Sequence, residues 1–482
     1  MKNPSINITS AILMTGTVLA APPAEGPFQP EWESLRAHWN PEWFRDAKLG
    51  IYTHWGPVTL GTENAPHHCQ WYGMDMYKPD NKSFQWHKEK FGDQKTFGYK
   101  DLFPLFTAPK FDPDEWADLF VKAGAKFAGP VAVHHDNYAL WDSQVTPWNS
   151  VKAGPKRDIT GELAKAYKAR GLKFVPTFHH GFAWRYFEPA FAFDAADGKN
   201  FLLYTEPHEP KTPPSKRFQD QWLAMVMEVV EKYEPDMIWF DFELYHVIQP
   251  EYQRRMFADY YNWAAAKGKE SAVAHKFRQL HQCTGILDFE RGREDKLVPY
   301  PWLTDTSLGP WFNSEAERYR SPANLIHVFA DIVSKNGCML LNVGPKADGS
   351  IPDRAKKLLS ELGGWLQVNG EAIYGTRPWR QYGEGPTKSK GGGFSENKDP
   401  DFHAEDIRFT TKGDTLYAIS LGLPVKDLVL RSLGKPAGTV RSVEVLGAGL
   451  AEWSQDENGL TLKPLAKWPC NYAVSFKIIL VP

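Results

Sequence analysis

Between residues 45 and 375, short apolar or β-branched runs alternate with segments of helical periodicity, and this alternation narrows the fold more than any other feature. The runs fall at 49–52, 127–133, 173–178, 237–240, 272–275 and 338–343. Near-continuous apolar strands separated by amphipathic helices are the pattern of a parallel sheet wrapped by helices. Residues 218–233 place Trp222, Met225, Val226, Val229, Val230 and Tyr233 on one helical face. Asp112-Pro113-Asp114-Glu115 and Ser321-Pro322 carry helix-start signals. At least six strand–helix units predict an α/β fold, a (β/α)8-like TIM barrel with insertions. A doubly wound open sheet would carry a Gly-rich phosphate turn after its first strand, and the sequence has none there.

A chain of 482 residues exceeds one compact core, so a second domain is expected. The texture changes after Trp379. Residues 383–400 are rich in Gly, Lys, Ser and Asp around Gly391-Gly392-Gly393 and read as a linker or exposed loop. Short strand patterns without helices follow at 406–409, 416–421, 440–446, 460–462 and 472–480, predicting an antiparallel β-sandwich. The expected division is a signal peptide at 1–21, a catalytic barrel at 22–380, a linker at 381–400 and the sandwich at 401–482. Lys2, an apolar stretch through Leu19 and the small residues at Ala20 and Ala21 are the layout of a cleavable export signal, which implies a secreted or periplasmic protein.

Charge excludes some partners. With 56 Lys+Arg against 58 Asp+Glu, no long-range field marks a nucleic-acid or membrane surface. Cys69, Cys283, Cys338 and Cys470 are too scattered for a zinc or redox motif, and one disulfide or none is expected. Nothing in the sequence bears on oligomeric state.

In a barrel of this kind the carboxyl ends of the strands build the active site. Here those ends carry His54-Trp55, His134-His135-Asp136, His179-His180, Asp241 with Glu243, and Glu290. Asp241 emerges from the apolar run Ile238-Trp239-Phe240 and is the leading candidate nucleophile. The plainer alternative is a helix-capping or Lys-paired carboxylate. A glycosidic bond needs one carboxyl group to protonate the leaving oxygen and another to meet the developing positive charge. The histidines could instead hold a metal, but adjacent residues of a strand face opposite ways, so only one of each His pair is expected in a site.

The residues also carry a resemblance. Lys48-Leu49-Gly50-Ile51-Tyr52-Thr53-His54-Trp55-Gly56, Gln70-Trp71-Tyr72, His134-His135-Asp136, Leu140-Trp141-Asp142-Ser143, Trp148-Asn149-Ser150, Pro235-Asp236-Met237-Ile238-Trp239-Phe240-Asp241 and Leu341-Asn342-Val343-Gly344-Pro345 occur in this order. In order and spacing the chain resembles glycoside hydrolase family 29, the α-L-fucosidases, over residues 40–380. The resemblance implies a (β/α)8-like barrel with a β-sandwich, retaining double displacement, a fucosylated glycan or fucose-containing polysaccharide as partner, and no metal or organic cofactor. It makes Asp241 the nucleophile and sets His54, His134 and His135 on the fucose hydroxyls, with Trp71 and Trp239 bordering the sugar. His179, at the third strand end, joins the expected substrate-binding set. Glu290 is the implied acid/base, with Glu294 and Glu243 in reserve.

Three positions depart from the family pattern. Gln70 stands where many relatives have Glu, Asn137-Tyr138 follows the His-His-Asp, and Lys276 falls where an arginine helps hold the sugar. Gln70 and Lys276 are still expected to touch substrate. Two other functions fit part of the pattern: hydrolysis of another α-linked sugar such as an α-galactoside, and non-catalytic carbohydrate binding.

Overall fold

The structure is a computed structural model that describes residues 25–242, 244–276, 280, 284–396 and 401–481. The expected signal at 1–21, Glu243 and Cys283 lie outside the described residues.

Nine parallel strands form the first sheet: β1 (Leu49–Thr53), β2 (Phe127–Val133), β3 (Lys173–Phe174), β4 (Thr177–Phe178), β5 (Ile238–Phe240), β6 (Val273–Lys276), β7 (Ile286–Asp288), β8 (Trp302–Ser307) and β9 (Gly337–Val343). β1 pairs with both β9 and β2, which closes the sheet. β3 and β4 are two halves of one stave, so the barrel has the expected eight positions. The stave breaks at Val175-Pro176, where proline cannot donate to the ladder. Gly129 on β2 accommodates that break, since a Cβ there would stand 1.8 Å from Val175 O.

β8 was absent from the predicted strands. Its sequence, Trp-Leu-Thr-Asp-Thr-Ser, is polar in its second half, yet every residue is buried. The hydroxyls find main-chain acceptors: Thr304 donates to Phe289 O at 2.6 Å and Ser307 to Pro310 O at 2.8 Å. Satisfied polar groups can be buried without an apolar run.

The helices start where the caps predicted. Asp112 accepts from Asp114 N and Glu115 N ahead of Pro113–Lys122, and Ser321 accepts from Asn324 N ahead of Pro322–Ser334. Ser215 caps Lys216–Tyr233, whose buried face includes Trp222, Met225, Val226, Val229 and Val230. Among the described residues no helix is long and apolar enough to cross a membrane.

Beyond the barrel, β10 (Arg377–Glu384), β11 (Ile407–Lys412), β12 (Thr415–Ser420), β13 (Leu428–Leu430), β14 (Val440–Val445), β15 (Gly449–Leu450), β16 (Trp453–Asp456), β17 (Gly459–Leu462) and β18 (Val474–Leu480) form two antiparallel sheets. Their orders are β10-β11-β12-β18-β14-β15 and β13-β17-β16, with Phe409, Ala418, Leu430, Val443, Leu460 and Phe476 in one shared core. Residues 381–384, expected in a linker, belong to β10. A buried ion cluster ties the sandwich to the barrel: Asp331 meets Arg293 at 3.1 Å, Lys335 at 2.9 Å and Arg408 of β11 at 2.5 Å.

Candidate active site

Strand periodicity builds the site. Tyr52, Val175, Trp239, Ala274, Leu303 and Leu340 fill the barrel interior as one apolar cluster. Residues two places further along a strand face the same way. Those residues are His54, Thr177, Asp241, Lys276, Asp305 and Asn342, so a polar layer sits directly on an apolar plug.

Above it lies a cavity of about 370 Å³, lined by His54, Gln70, Trp71, His134, His135, His179, Asp241, Phe242, His246, Glu290, Asp305, Trp311, Phe312 and Phe394. Asp241 is buried at its edge, with its main-chain nitrogen donating to Phe178 O at 3.1 Å. Its Oδ2 lies 3.1 Å from His179 Nδ1 and 3.4 Å from His135 Nε2, and its Oδ1 lies 3.8 Å from Lys276 Nζ. Burial pushes the Asp241 pKa up, but His179, Lys276 and His135 outweigh it and hold the carboxyl well below the usual carboxylate range.

Lys276 is enclosed by carboxylates. Its ammonium is ion-paired to Asp305 and lies 3.3 Å from Asp288 and 3.4 Å from Glu290, with the Trp239 ring centroid at 4.9 Å. Burial alone would lower its pKa, and the surrounding carboxylates raise it above that of a free lysine instead. Asp288 lies deeper than Glu290, and burial reinforced by Asp305 pushes its carboxyl well up. Glu290 is pushed up to about 7, chiefly by burial, with Lys276 opposing and Asp305 and Asp241 adding to the rise. One cation therefore serves an ionised carboxylate on one side and a readily protonated one on the other.

The histidines are held in defined orientations. Asn342 Oδ1 accepts from His54 N at 2.9 Å and lies 2.8 Å from His54 Nδ1, so that ring nitrogen carries the hydrogen. His135 Nδ1 donates to His179 O at 2.7 Å. Its other ring nitrogen, Nε2, faces Asp241 Oδ2 at 3.4 Å. Burial lowers the pKa values of His54, His134 and His135, the last to about 4. His54, His134 and His179, and separately His135, His179 and Asp241, bring possible ligand atoms within 4.8 Å of one another, close enough to hold a metal ion.

Three expectations need correction. Both His134 and His135 line the cavity, although strand alternation would admit only one. β2 ends at Val133, and the chain then turns through Asn137, whose φ is 59°, so alternation no longer applies. His180 does obey it and turns away to Trp222 O at 3.3 Å. Trp239 does not border the cavity; it shares the inward face with Asp241 but lies one layer deeper, fully buried. Lys276 is likewise absent from the lining and acts from beneath, through the carboxylates it neutralises.

Gln70 does line the cavity, with Oε1 accepting from Phe312 N at 2.7 Å and Nε2 donating to Glu317. Trp71 stacks on Phe242 with ring centroids 6.0 Å apart. Of the reserve acids, Glu294 accepts from Tyr300 at 2.8 Å and is not part of the lining. Sequence reasoning missed Asp305, Phe242, His246, Trp311, Phe312 and Phe394. Asp305 follows the inward Leu303 by two residues, a signal available only once β8 is recognised as a strand.

A family profile for α-L-fucosidases matches residues 17–371. The chain belongs to the α-L-fucosidase family. It is an α-L-fucosidase-type glycoside hydrolase. Rattus norvegicus tissue α-L-fucosidase is 29% identical over 456 residues, covering 92% of this chain and 90% of its own. Homo sapiens plasma α-L-fucosidase is 30% identical over 468 residues, covering 92% and 91%. The crystal structure of Thermotoga maritima α-fucosidase in complex with fucose is 32% identical and superposes with a TM-score of 0.75 over 94% of this chain and all of the other. Both the barrel and the sandwich are thus shared with fucosidases.

Proposed function

We propose that this α-L-fucosidase is a retaining enzyme, with Asp241 as nucleophile and Glu290 as acid/base, releasing fucose from glycans. The observation that carries the reading is the single cavity in which Asp241, held ionised, and Glu290, held near neutrality, both lie within 4 Å of Lys276 Nζ. Two carboxyl groups pushed apart in pKa are the requirement for splitting nucleophile from acid.

Glu290 donates its proton to the glycosidic oxygen while Asp241 attacks the anomeric carbon. The C–O bond breaks, its electron pair leaves with the now protonated alcohol, and a glycosyl ester forms on Asp241. Water then attacks the same carbon, Glu290 takes back a proton, and the ester bond returns its electrons to Asp241. Two inversions give retention. His54, His134, His135 and Gln70 supply hydrogen-bond donors and acceptors for sugar hydroxyls, and His179 orients Asp241. Trp311 and Phe312, whose rings lie 5.2 and 5.3 Å from that of His54, offer an apolar wall to the methyl group of a 6-deoxy sugar. A cavity of about 370 Å³ is near the lower end of ligand sites, as a single sugar ring requires. The bound fucose of the Thermotoga maritima relative supports the same substrate here.

The test is the anomeric form of the first product released from an aryl α-L-fucoside, followed by NMR. The α anomer appearing first supports double displacement; the β anomer would assign the enzyme to inversion. Turnover of α-galactosides in preference to α-fucosides would change the sugar, and no turnover of any glycoside would favour carbohydrate binding alone. We also propose export from the cell, for which residues 1–21 are the support, and N-terminal sequencing of the mature protein tests it.

A further inference from the structure

The segment read as a linker lies against the loop that carries the acid. Arg293 and Gly392 exchange main-chain hydrogen bonds of 3.3 and 2.8 Å, Phe394 N donates to Glu290 O at 2.7 Å, and Glu396 N donates to Arg291 O at 3.1 Å. The two chains approach this closely through glycine: a Cβ on Gly292 would stand 2.0 Å from Gly392 O. The far end is anchored by the buried carboxylate of Glu396, which accepts from Thr306 of β8 at 2.8 Å and pairs with Arg320 and Arg291. Between these fixed points stands Phe394, in a left-handed backbone conformation (φ 54°) that bulky residues seldom adopt, with about half its surface exposed. Phe394 lines the same cavity as Asp241 and Glu290.

We propose that Phe394 forms the aromatic platform of a leaving-group subsite, where it stacks on the C–H face of the sugar to which fucose is attached. The inference rests on the proposed role of Glu290: an acid must touch the glycosidic oxygen, so the departing sugar passes beside the acid loop. Phe394 is hydrogen-bonded to that loop at Glu290 itself, whereas Trp71 and Phe242 stack beside His135. An aromatic face held by a pinned backbone offers apolar contact to a pyranose at little entropic cost. Phe394 is thus a specificity-determining residue for the aglycone.

The experiment compares kcat/KM for α-L-fucosyl fluoride, whose leaving group is too small to reach the ring, with that for a panel of fucosyl disaccharides. In Phe394→Ala the value for the best disaccharide should fall at least about tenfold further than that for the fluoride, mainly through KM, and Phe394→Trp should recover most of the loss. Equal losses on both substrates, or no loss on the disaccharide, would overturn the proposal. So would an alkaline limb of the pH profile displaced in Phe394→Ala, because the ring would then act through Glu290. Failure of the underlying reading is visible without touching Phe394: wild-type enzyme inert on every fucoside, or Glu290→Gln impaired equally on fluoride and disaccharide, removes the acid and the subsite together.

Discussion

Asp241 follows directly on β5, and its main-chain nitrogen donates across the ladder to Phe178 O, so the barrel fixes the proposed nucleophile by strand register. Glu290 stands two residues beyond β7, and its main chain is held by Phe394 from a segment about a hundred residues later in sequence. The same contrast holds electrostatically. Asp241 is surrounded by His135, His179 and Lys276, which favour its charge, whereas Glu290 shares Lys276, its ion-pair partner among the described residues, with Asp241, Asp288 and Asp305. A nucleophile must stay ionised throughout, so rigid strand geometry suits it. An acid/base must change protonation state twice per cycle, and burial, opposed by Lys276 and reinforced by Asp305 and Asp241, brings the Glu290 pKa to about 7.

The largest break in this comparison comes from Asp241→Ala, for which kcat on an aryl α-fucoside should fall on the order of 10⁴-fold, with near-native melting behaviour. Glu290→Gln should be graded by leaving group: a loss of about 10²–10⁴-fold with a poorly leaving sugar alcohol and far less with a nitrophenolate that departs unprotonated. A uniform loss across leaving groups would move the acid role elsewhere.

Lys276→Met sharpens the shared-cation half of the comparison. Removing one partner leaves buried carboxylates uncompensated, a destabilisation of about 3–5 kcal/mol by chemical denaturation. Without the cation the carboxyl groups of both Asp241 and Glu290 titrate at higher pH, so both limbs of the pH profile should move upward. With Glu290 as the proposed acid, wild-type activity requires its protonated form in the free enzyme. Accordingly kcat/KM should decline as pH rises through about 7, while Asp241, held low, sets no limb until well into the acid range. An alkaline limb insensitive to Glu290→Gln would contradict this assignment. The smallest effect concerns the histidines: prolonged dialysis against EDTA should leave turnover intact, and a loss restored by a divalent cation would turn the His54/His134/His179 group into a metal site.

Much of the Asp241 side of the cavity was legible in the sequence, because apolar runs ending in a polar residue locate the strand ends without knowledge of their neighbours. Ile238-Trp239-Phe240-Asp241 carries that information locally. β8 shows where the method stops: Thr304, Asp305, Thr306 and Ser307 are buried through hydrogen bonds and ion pairs to other segments, and a polar sequence gives no sign of such partners. Residues 391–396 were misleading for a related reason, since glycine serves both a flexible connection and close backbone contact.

The order of the runs and helices determined the barrel and the sandwich, and the strand-end residues singled out the carboxylate proposed here as nucleophile. The tertiary structure decided that Trp239 lies beneath the cavity, that Lys276 is buried below its lining, and that Phe394 reaches the cavity beside Glu290. Periodicity along a strand says which residues share a face, but depth within a closed barrel and contact between distant loops arise only when all eight staves are in register.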